Sequence, residues 1–541
     1  MGPSFYWQTT PILFLFVALL HTSGAKPTEP LKTEIDAQAL QNAQDDSNVI
    51  GWEKKECIRK WFPHPNTTRS SSFVCVCTAS NCDEPEPFSP QEIEGGQKLV
   101  YYITTKDEHR LHRRSVDFGL QASTASSDVE KVEIVVDSAQ TYQTIFGEPA
   151  RENLYKSYFD KQTGINYNVG RVPMASCDFS THEYSYLDKQ DDFSLESFAL
   201  APEDLELKIP HLLKAMNYSQ NQLQLFASPW SAPGWMKTNG RMKDGYPLKG
   251  EINGKYYETY AKYFRRFFED YFKQGIKFWG LTMQNEPRTV DWPWQTMTFN
   301  YEMQREFAHG LLSPELKKSE VTSNIKIMGC DDNRGVVLQA AKEIYSDEEK
   351  AKAIDGMATH WYDHADFGNL TAAHNVRPDK FILASEACNG DAPWEHTPLL
   401  GDWHRGVMYA HDILHNLRNW VVGWTDWNIC LDLQGGPNWA NNFVDAPIIV
   451  NKTSDEFYKQ PMFYAMGHFS KFVTVESLIE HVAFTTPEGH RVLVLTNIDE
   501  SQNRTVEVTI RDVELAGKAA KIVVQPHSIV TAVWSATVVR R

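Results

Sequence analysis

The sequence has little that would let it cross a membrane or hold a nucleic acid. Its one long apolar run, P-I-L-F-L-F-V-A-L-L at residues 11–20, falls short of the roughly 20 residues that a bilayer-spanning helix needs. Positive charge is also short: 53 Lys and Arg stand against 70 Asp and Glu, a net charge of −17. Phosphate recognition needs clustered Lys and Arg, so this balance argues against a nucleic-acid partner and against electrostatic steering toward an anionic membrane. It suits an acidic compartment, where carboxylates partly protonate and histidines gain charge.

Too short to span, the 11–20 run fits the core of a signal peptide, with Ser23-Gly24-Ala25 as a small-residue cleavage site. Residues 1–25 therefore read as a signal peptide cleaved after Ala25, although no Lys or Arg precedes the core. The mature chain is expected to be soluble. Residues 26–50 carry few large apolar groups, cannot bury enough surface to order themselves, and read as a flexible leader. Of eight cysteines, Cys57, Cys75, Cys77 and Cys82 crowd the segment 51–87, while Cys177, Cys330, Cys388 and Cys430 are scattered. No histidine pair stands beside the cluster at zinc-ligand spacing, and a secreted chain favours oxidation, so the four read as two disulfides; spacing alone allows three pairings. Five N-glycosylation sequons, at Asn66, Asn217, Asn369, Asn451 and Asn503, fit the same route.

At 541 residues the chain divides naturally into a barrel and a second domain. Segments such as K-L-V-Y-Y-I-T-T and V-E-K-V-E-I-V-V-D, and C-terminal ones such as R-V-L-V-L-T-N and T-V-E-V-T-I, alternate apolar with polar residues. That is the period of half-buried strands, and residues 88–143 and 473–541 are expected to form one β-sandwich from both chain ends. Between them, strand-like runs end near residues 173, 229, 283, 330, 362, 386 and 427 and are separated by helical stretches. Strands alternating with helices mean a parallel sheet, here a (β/α)8 barrel over 144–427 and 462–472. Tyr256, Tyr257, Tyr260, Tyr263, Phe264, Phe267, Phe268, Tyr271 and Phe272 fall at helical spacing and read as core packing. Residues 428–461 read as a hairpin inserted over the barrel mouth.

Two strand-like runs deliver a carboxylate at their close: I-K-F-W-G-L-T-M-Q-N-E-P brings Glu286, and K-F-I-L-A-S-E-A-C-N-G brings Glu386. Pro287 cannot donate to a sheet ladder and stops its strand. Glycoside hydrolysis needs such a pair, one acid to protonate the leaving oxygen and one carboxylate to attack or stabilise the anomeric carbon. Barrel strand ends are where such pairs converge.

These two motifs, with R-V-P-M-A-S-C-D-F-S at 171–180, A-S-P-W-S-A-P-G-W-M-K-T-N-G at 227–240 and V-V-G-W-T-D-W-N at 421–428, closely resemble the lysosomal acid β-glucosidase (glucosylceramidase) family. The resemblance implies a retaining hydrolase of glucosylceramide with Glu286 as acid/base and Glu386 as nucleophile. It places Arg171, Asp178, Trp230, Asn285, Trp427 and Asn442 around the glucose, with His360 and Tyr362 supporting Glu386 by hydrogen bonding. Trp292, Trp294, Trp394 and Phe443 would form an apolar rim for a two-chain aglycone. It further implies the pairing Cys57–Cys75 and Cys77–Cys82, lysosomal delivery, contact with anionic lipid, a saposin-type activator and an integral-membrane trafficking receptor, with no cofactor or metal. In one respect the chain departs from the family: Gly147 runs straight into Glu148 where about fifteen to twenty residues, a strand end and a helix, would be expected. The first barrel strand is therefore expected to be truncated. Two other readings stay open, a secreted β-glycanase or xylosidase on the same barrel and a glycolipid-binding homologue with impaired catalysis.

Overall fold

The computed structural model describes residues 55–62, 72–78, 81–93, 96–120, 130–136, 152–288, 292, 293–392, 395, 398–451, 453–454, 456–471, 483–486, 490–497, 505–512, 514–515 and 518–535. The expected signal peptide, the leader, the junction at Gly147 and Glu148, the sequons at Asn66 and Asn503, and Trp394 lie outside the described residues. The chain divides into two units, one made of 56–84 and 143–463, the other of 85–142 and 464–541 with the first 55 residues; the division falls inside helix Pro461–Ser470.

The first unit is built on a parallel sheet of strands Val169–Met174, Gln224–Pro229, Phe278–Thr282, Lys326–Asn333, Gly356–His360, Phe381–Glu386 and Val421–Trp424, paired in chain order. These are the seven runs legible in the sequence. Being nearly continuous apolar stretches, they suit burial on both faces. Val169, Phe226, Met328, Ala358 and Leu383, from five of the seven strands, form one packed cluster of the sheet, with Trp279 of the third strand against it. Burying each of the larger ones, Val169, Phe226, Met328 and Leu383, contributes about 1.5–3 kcal/mol. Among the described residues, the first and seventh strands have a sheet partner on one side only.

Helix Lys255–Lys273 buries Tyr257, Tyr260, Tyr263, Phe264, Phe267, Phe268 and Tyr271, as their spacing predicts, with Phe267, Phe268 and Tyr271 against Phe278 of the third strand, but Phe272 is 47% exposed because it falls off the apolar stripe in the last turn. Helix Trp403–Arg418 starts where Asp402 accepts hydrogen bonds from the backbone N–H of His404 and Arg405, a side-chain cap for otherwise orphaned donors.

A five-stranded sheet in the same unit joins Ile58–Trp61 and Phe73–Cys77 to Glu456–Lys459, Ile448–Asn451 and Leu431–Asp432. The 428–461 insertion is thus more than a hairpin. Only Ile448–Asn451 and Glu456–Lys459 form one, Leu431–Asp432 runs parallel to its neighbour, and the N-terminal segment completes the sheet. Disulfides Cys57–Cys75 and Cys77–Cys82 staple that segment, and the buried Lys459 ammonium donates to the backbone carbonyl and carboxylate of Asp83. Gly401, at φ +76, lies where a Cβ would stand 2.4 Å from the Ser72 carbonyl oxygen, so only glycine admits the segment so closely. Of the described sequons, Asn217 is exposed, whereas the Asn451 amide is already bonded to Tyr458 Oη at 2.9 Å.

The second unit is a β-sandwich built from both chain ends. One sheet orders Ala483–Thr485, His490–Asn497, Ser528–Ser535, Lys98–Thr105 and His112–Asp117; the other orders Gly119–Leu120, Lys518–Val524, Val506–Asp512 and Glu130–Val136. Alternate residues of the described strands, among them Leu99, Tyr101, Ile103, Leu493, Ile522 and Trp534, make its core.

Candidate active site

Glu386 is the last residue of its strand. Glu286 lies beyond the end of strand Phe278–Thr282, on a turn rather than in the ladder, with a left-handed backbone at φ 45. The turn is held because Asn285 and Glu286 donate their N–H groups to the carbonyls of Pro229 and Asp331, both at 2.9 Å. Gln284 adds two amide bonds of 2.8 Å, to the carbonyls of Trp230 and Asn285. A non-glycine residue in this conformation stores strain that the surrounding bonds must hold, a common trait of reactive positions. One donor-capable atom each from Glu286, His360 and Glu386 lies within 4.8 Å of the other two.

Around the pair stand two cationic groups and a phenol. The Arg171 guanidinium donates to Glu386 Oε2, to Asn285 Oδ1 at 2.8 Å, to Asp331 Oδ2 at 2.7 Å and, through Nε, to Ser228 Oγ at 3.0 Å. Tyr362 donates its hydroxyl to Glu386 Oε1 at 2.8 Å. His360 bonds Asp331 Oδ1 through Nε2 at 3.1 Å, while Nδ1 faces Glu286 Oε1 at 3.5 Å and Glu386 Oε1 at 3.8 Å. Tyr362 therefore supports Glu386 as expected, but His360 does not hydrogen-bond it; Asp331 turns the ring so that Nδ1 looks at both glutamates. Asn285 likewise spends its carbonyl on Arg171.

Burial raises the Glu286 pKa, with the His360 contact acting against the rise and the charge of Glu386 adding to it. Burial would strip His360 of charge, yet Glu386, Asp331 and Glu286 outweigh it and bring the imidazole up to about 10. The result is a protonated ring between two carboxyl groups.

Asp178 accepts a 3.0 Å bond from the Asn442 amide, and burial, partly opposed by that bond and reinforced by Glu386 and Glu286, pushes it up to about 7. Trp230 and Trp427 stack with ring centroids 5.0 Å apart, and the Arg171 guanidinium lies over both, at 4.8 and 5.8 Å. These side chains converge in one place. Trp292 and Trp294 stack on each other at 5.0 Å, with Trp292 nearly half exposed. Phe443 follows Asn442 on the insertion and is partly buried. Cys388, two residues past Glu386, is a buried thiol 3.5 Å from Tyr362 Oη.

Two residues of this neighbourhood were passed over in the sequence. Asp331 accepts from Arg171, Thr282, Ser385 and His360; the only signal for it is the acidic pair closing C-D-D. Trp439 donates its indole N–H to the Cys177 carbonyl at 2.9 Å and its backbone N–H to the carbonyls of Asp178 and Ser180, both at 3.2 Å. It pins the insertion beside Asp178, a long-range contact with no local signature.

Glu286, His360 and Glu386 have the donor types of a metal site. A protonated imidazole has no lone pair to offer, and both Glu386 oxygens already accept from Arg171 and Tyr362. The set is suited to proton transfer beside a nucleophilic carboxylate.

Residues 133–473 match the glycosyl hydrolase family 30 TIM-barrel domain, and residues 469–532 match the family 30 β-sandwich domain. Putative glucosylceramidase 3 of Caenorhabditis elegans is 43% identical over 497 residues, covering 86% of this chain and 92% of the relative. Lysosomal acid glucosylceramidase of Mus musculus is 38% identical over 524 residues, covering 90% of this chain and 97% of the relative. Among solved structures, SrfJ from Salmonella typhimurium superposes with a TM-score of 0.70 at 27% identity, covering 81% of this chain and 99% of that one.

Proposed function

The chain belongs to glycosyl hydrolase family 30, and from that premise we propose that it works as a glucosylceramidase through Glu286 as acid/base and Glu386 as nucleophile. The bond cleaved is the β-glucosidic bond of glucosylceramide. The observation that carries a retaining mechanism is the approach of carboxyl oxygens of Glu286 and Glu386 to within 4.8 Å, and the bonds that Arg171 and Tyr362 donate to Glu386 support it as the nucleophile. Inverting enzymes hold their carboxyl groups about 6.5–9.5 Å apart to admit a water, and retaining ones about 5–5.5 Å.

Glu386, held by the bonds that Arg171 and Tyr362 donate, attacks the anomeric carbon as the bond to the ceramide oxygen breaks, and Glu286 gives that oxygen its proton. Glucose is then esterified to Glu386, and Glu286 carries the negative charge. In the second step Glu286 takes a proton from water, the water oxygen bonds to the anomeric carbon, and the ester to Glu386 breaks. Two displacements return the β configuration. Asp178, Asn285, Trp230, Trp427 and Asn442 stand ready for the sugar hydroxyls and ring face, the Asp178 carboxyl able to donate while it keeps its proton and an indole donating and stacking. Trp292, Trp294 and Phe443 offer apolar surface for the hydrocarbon chains.

The mouse relative is lysosomal by its name, and we extend that setting to this chain, with anionic lipid, a saposin-type activator and a membrane trafficking receptor as partners. A mechanism-based inactivator that mimics a β-glucoside is expected to esterify Glu386, read by peptide mapping. Labelling of another residue would overturn the roles, and cleavage of a xylan oligomer in preference to glucosylceramide would overturn the substrate.

A further inference from the structure

Asp331 touches neither reacting carboxyl group, yet its carboxylate takes part in four side-chain hydrogen bonds, as many as Arg171 makes. Its Oδ2 accepts from Arg171 Nη2 at 2.7 Å and Thr282 Oγ1 at 2.6 Å, and its Oδ1 accepts from Ser385 Oγ at 2.7 Å and lies 3.1 Å from His360 Nε2. Those four partners come from four different strands of the parallel sheet, and Asp331 sits on a fifth. With every acceptor position taken and the side chain buried, it has nothing left to offer a substrate.

The backbone has been bent to put it there. In the pairing of Lys326–Asn333 with Gly356–His360 the register jumps from Cys330 to Asp332, leaving Asp331 as the extra residue of a bulge. Cys330 and Asp331 are both left-handed, at φ 71 and 52. A bulge re-aims a side chain that regular alternation would send elsewhere.

We propose that Asp331 is a positioning residue that holds the Arg171 guanidinium and the His360 imidazolium as two fixed cations facing the Glu286–Glu386 pair. The inference rests on the roles given to those glutamates above. During the reaction one negative charge passes from Glu386 to Glu286, and His360 Nδ1 faces both, at 3.8 and 3.5 Å. A cation anchored from behind by Asp331 compensates whichever glutamate is ionised without moving. The groups facing the ring are Glu286, Glu386 and Asp331, with Tyr362 edge-on at 6.0 Å between ring centroids and Arg171 bonded to the far side of Asp331. Burial opposes charge on Asp331, but Arg171, His360 and Thr282 outweigh it and keep this carboxyl well below the usual range.

The test is a titration of the full-length protein labelled with ¹³C at histidine Cε1, with the His360 signal assigned by its loss in His360→Asn. In the unsubstituted protein His360 is expected to stay imidazolium from pH 5 to 8; a midpoint near the ordinary value of about 6.5 overturns the proposal whatever any variant does. In Asp331→Asn the midpoint is expected to fall by about one unit or more, with kcat on an aryl β-glucoside down about a hundredfold and KM changed less than about threefold, a loss confined to the transition state. An Asp331→Asn protein that folds and leaves both the His360 midpoint and kcat unchanged also overturns it. Glu386→Gln separates the two readings: if that variant keeps full turnover while His360 stays cationic, the glutamate roles fall and the anchor stands.

Discussion

His360 in the barrel unit and His468 in the sandwich unit are both shut away from water, and they end in opposite charge states. Among the described residues the His468 ring hydrogen-bonds two hydroxyls, Thr531 Oγ1 at 2.7 Å and Thr104 Oγ1 at 2.8 Å, and burial pushes it down to about 3. His360 is as deeply buried, but Glu386, Asp331 and Glu286 bring it up to about 10. Burial sets the cost of charge; the neighbours decide whether it is met. A hydroxyl can bond either form of the ring, whereas a carboxylate selects the protonated one.

The largest way to break this contrast is Glu386→Gln, which removes the strongest upward influence on His360 together with the nucleophile. Turnover of an aryl β-glucoside is expected to fall by roughly a thousandfold or more, at least about 4 kcal/mol of barrier, with the melting temperature little changed. Near-normal turnover would show that Glu386 is not the nucleophile. Tyr362→Phe is a gentler cut, since it removes one hydrogen bond to the Glu386 carboxylate and no charge. A bond to a charged group is worth about 1.5–3 kcal/mol, so kcat/KM is expected to drop about 10- to 100-fold.

The pH dependence of stability sharpens the contrast. His468 binds a proton in the unfolded chain below about 6.5 but in the folded one only near 3, so stability falls as pH drops through that window. At pH 5 the loss is about 2 kcal/mol. His360 runs the other way: its folded value lies above the unfolded one, so its contribution is present below about 6.5 and is lost as pH rises toward 10. Melting curves at pH 5 and 7 for His468→Gln, whose amide cannot take the proton, are expected to lie closer together than those of the unsubstituted protein. An unchanged gap would show that His468 is already charged at pH 5.

What the sequence revealed and what it hid divide along the reach of the interactions. The seven parallel strands are apolar runs with clear stops, and the motifs around Glu286 and Glu386 are local, so both were legible. Asp331 was not, because a bulge shifts which way a residue points and a two-residue period carries no trace of the shift. Trp439 was missed because its partners, Cys177, Asp178 and Ser180, are distant in the chain. The 428–461 insertion reads locally as a hairpin because the strand it pairs with, Phe73–Cys77, and the next one, Ile58–Trp61, lie at the other end of the sequence. His360 in T-H-W and His468 in G-H-F each stand alone between uncharged neighbours, and nothing local separates the cation from the neutral ring.

The bulge at Asp331 bears on how this protein could be engineered. Replacing Asp331 by glycine would ease a left-handed backbone, a strain of order 1–3 kcal/mol. It would also leave the buried Arg171 and His360 without their shared carboxylate, and removing one partner of a buried ion pair costs about 3–5 kcal/mol. The second effect outweighs the first, so a library sorted on heat resistance alone would keep Asp331 and its bulge. Substitutions meant to harden this protein therefore belong away from that strand end, where the groups that serve turnover also hold the sheet together.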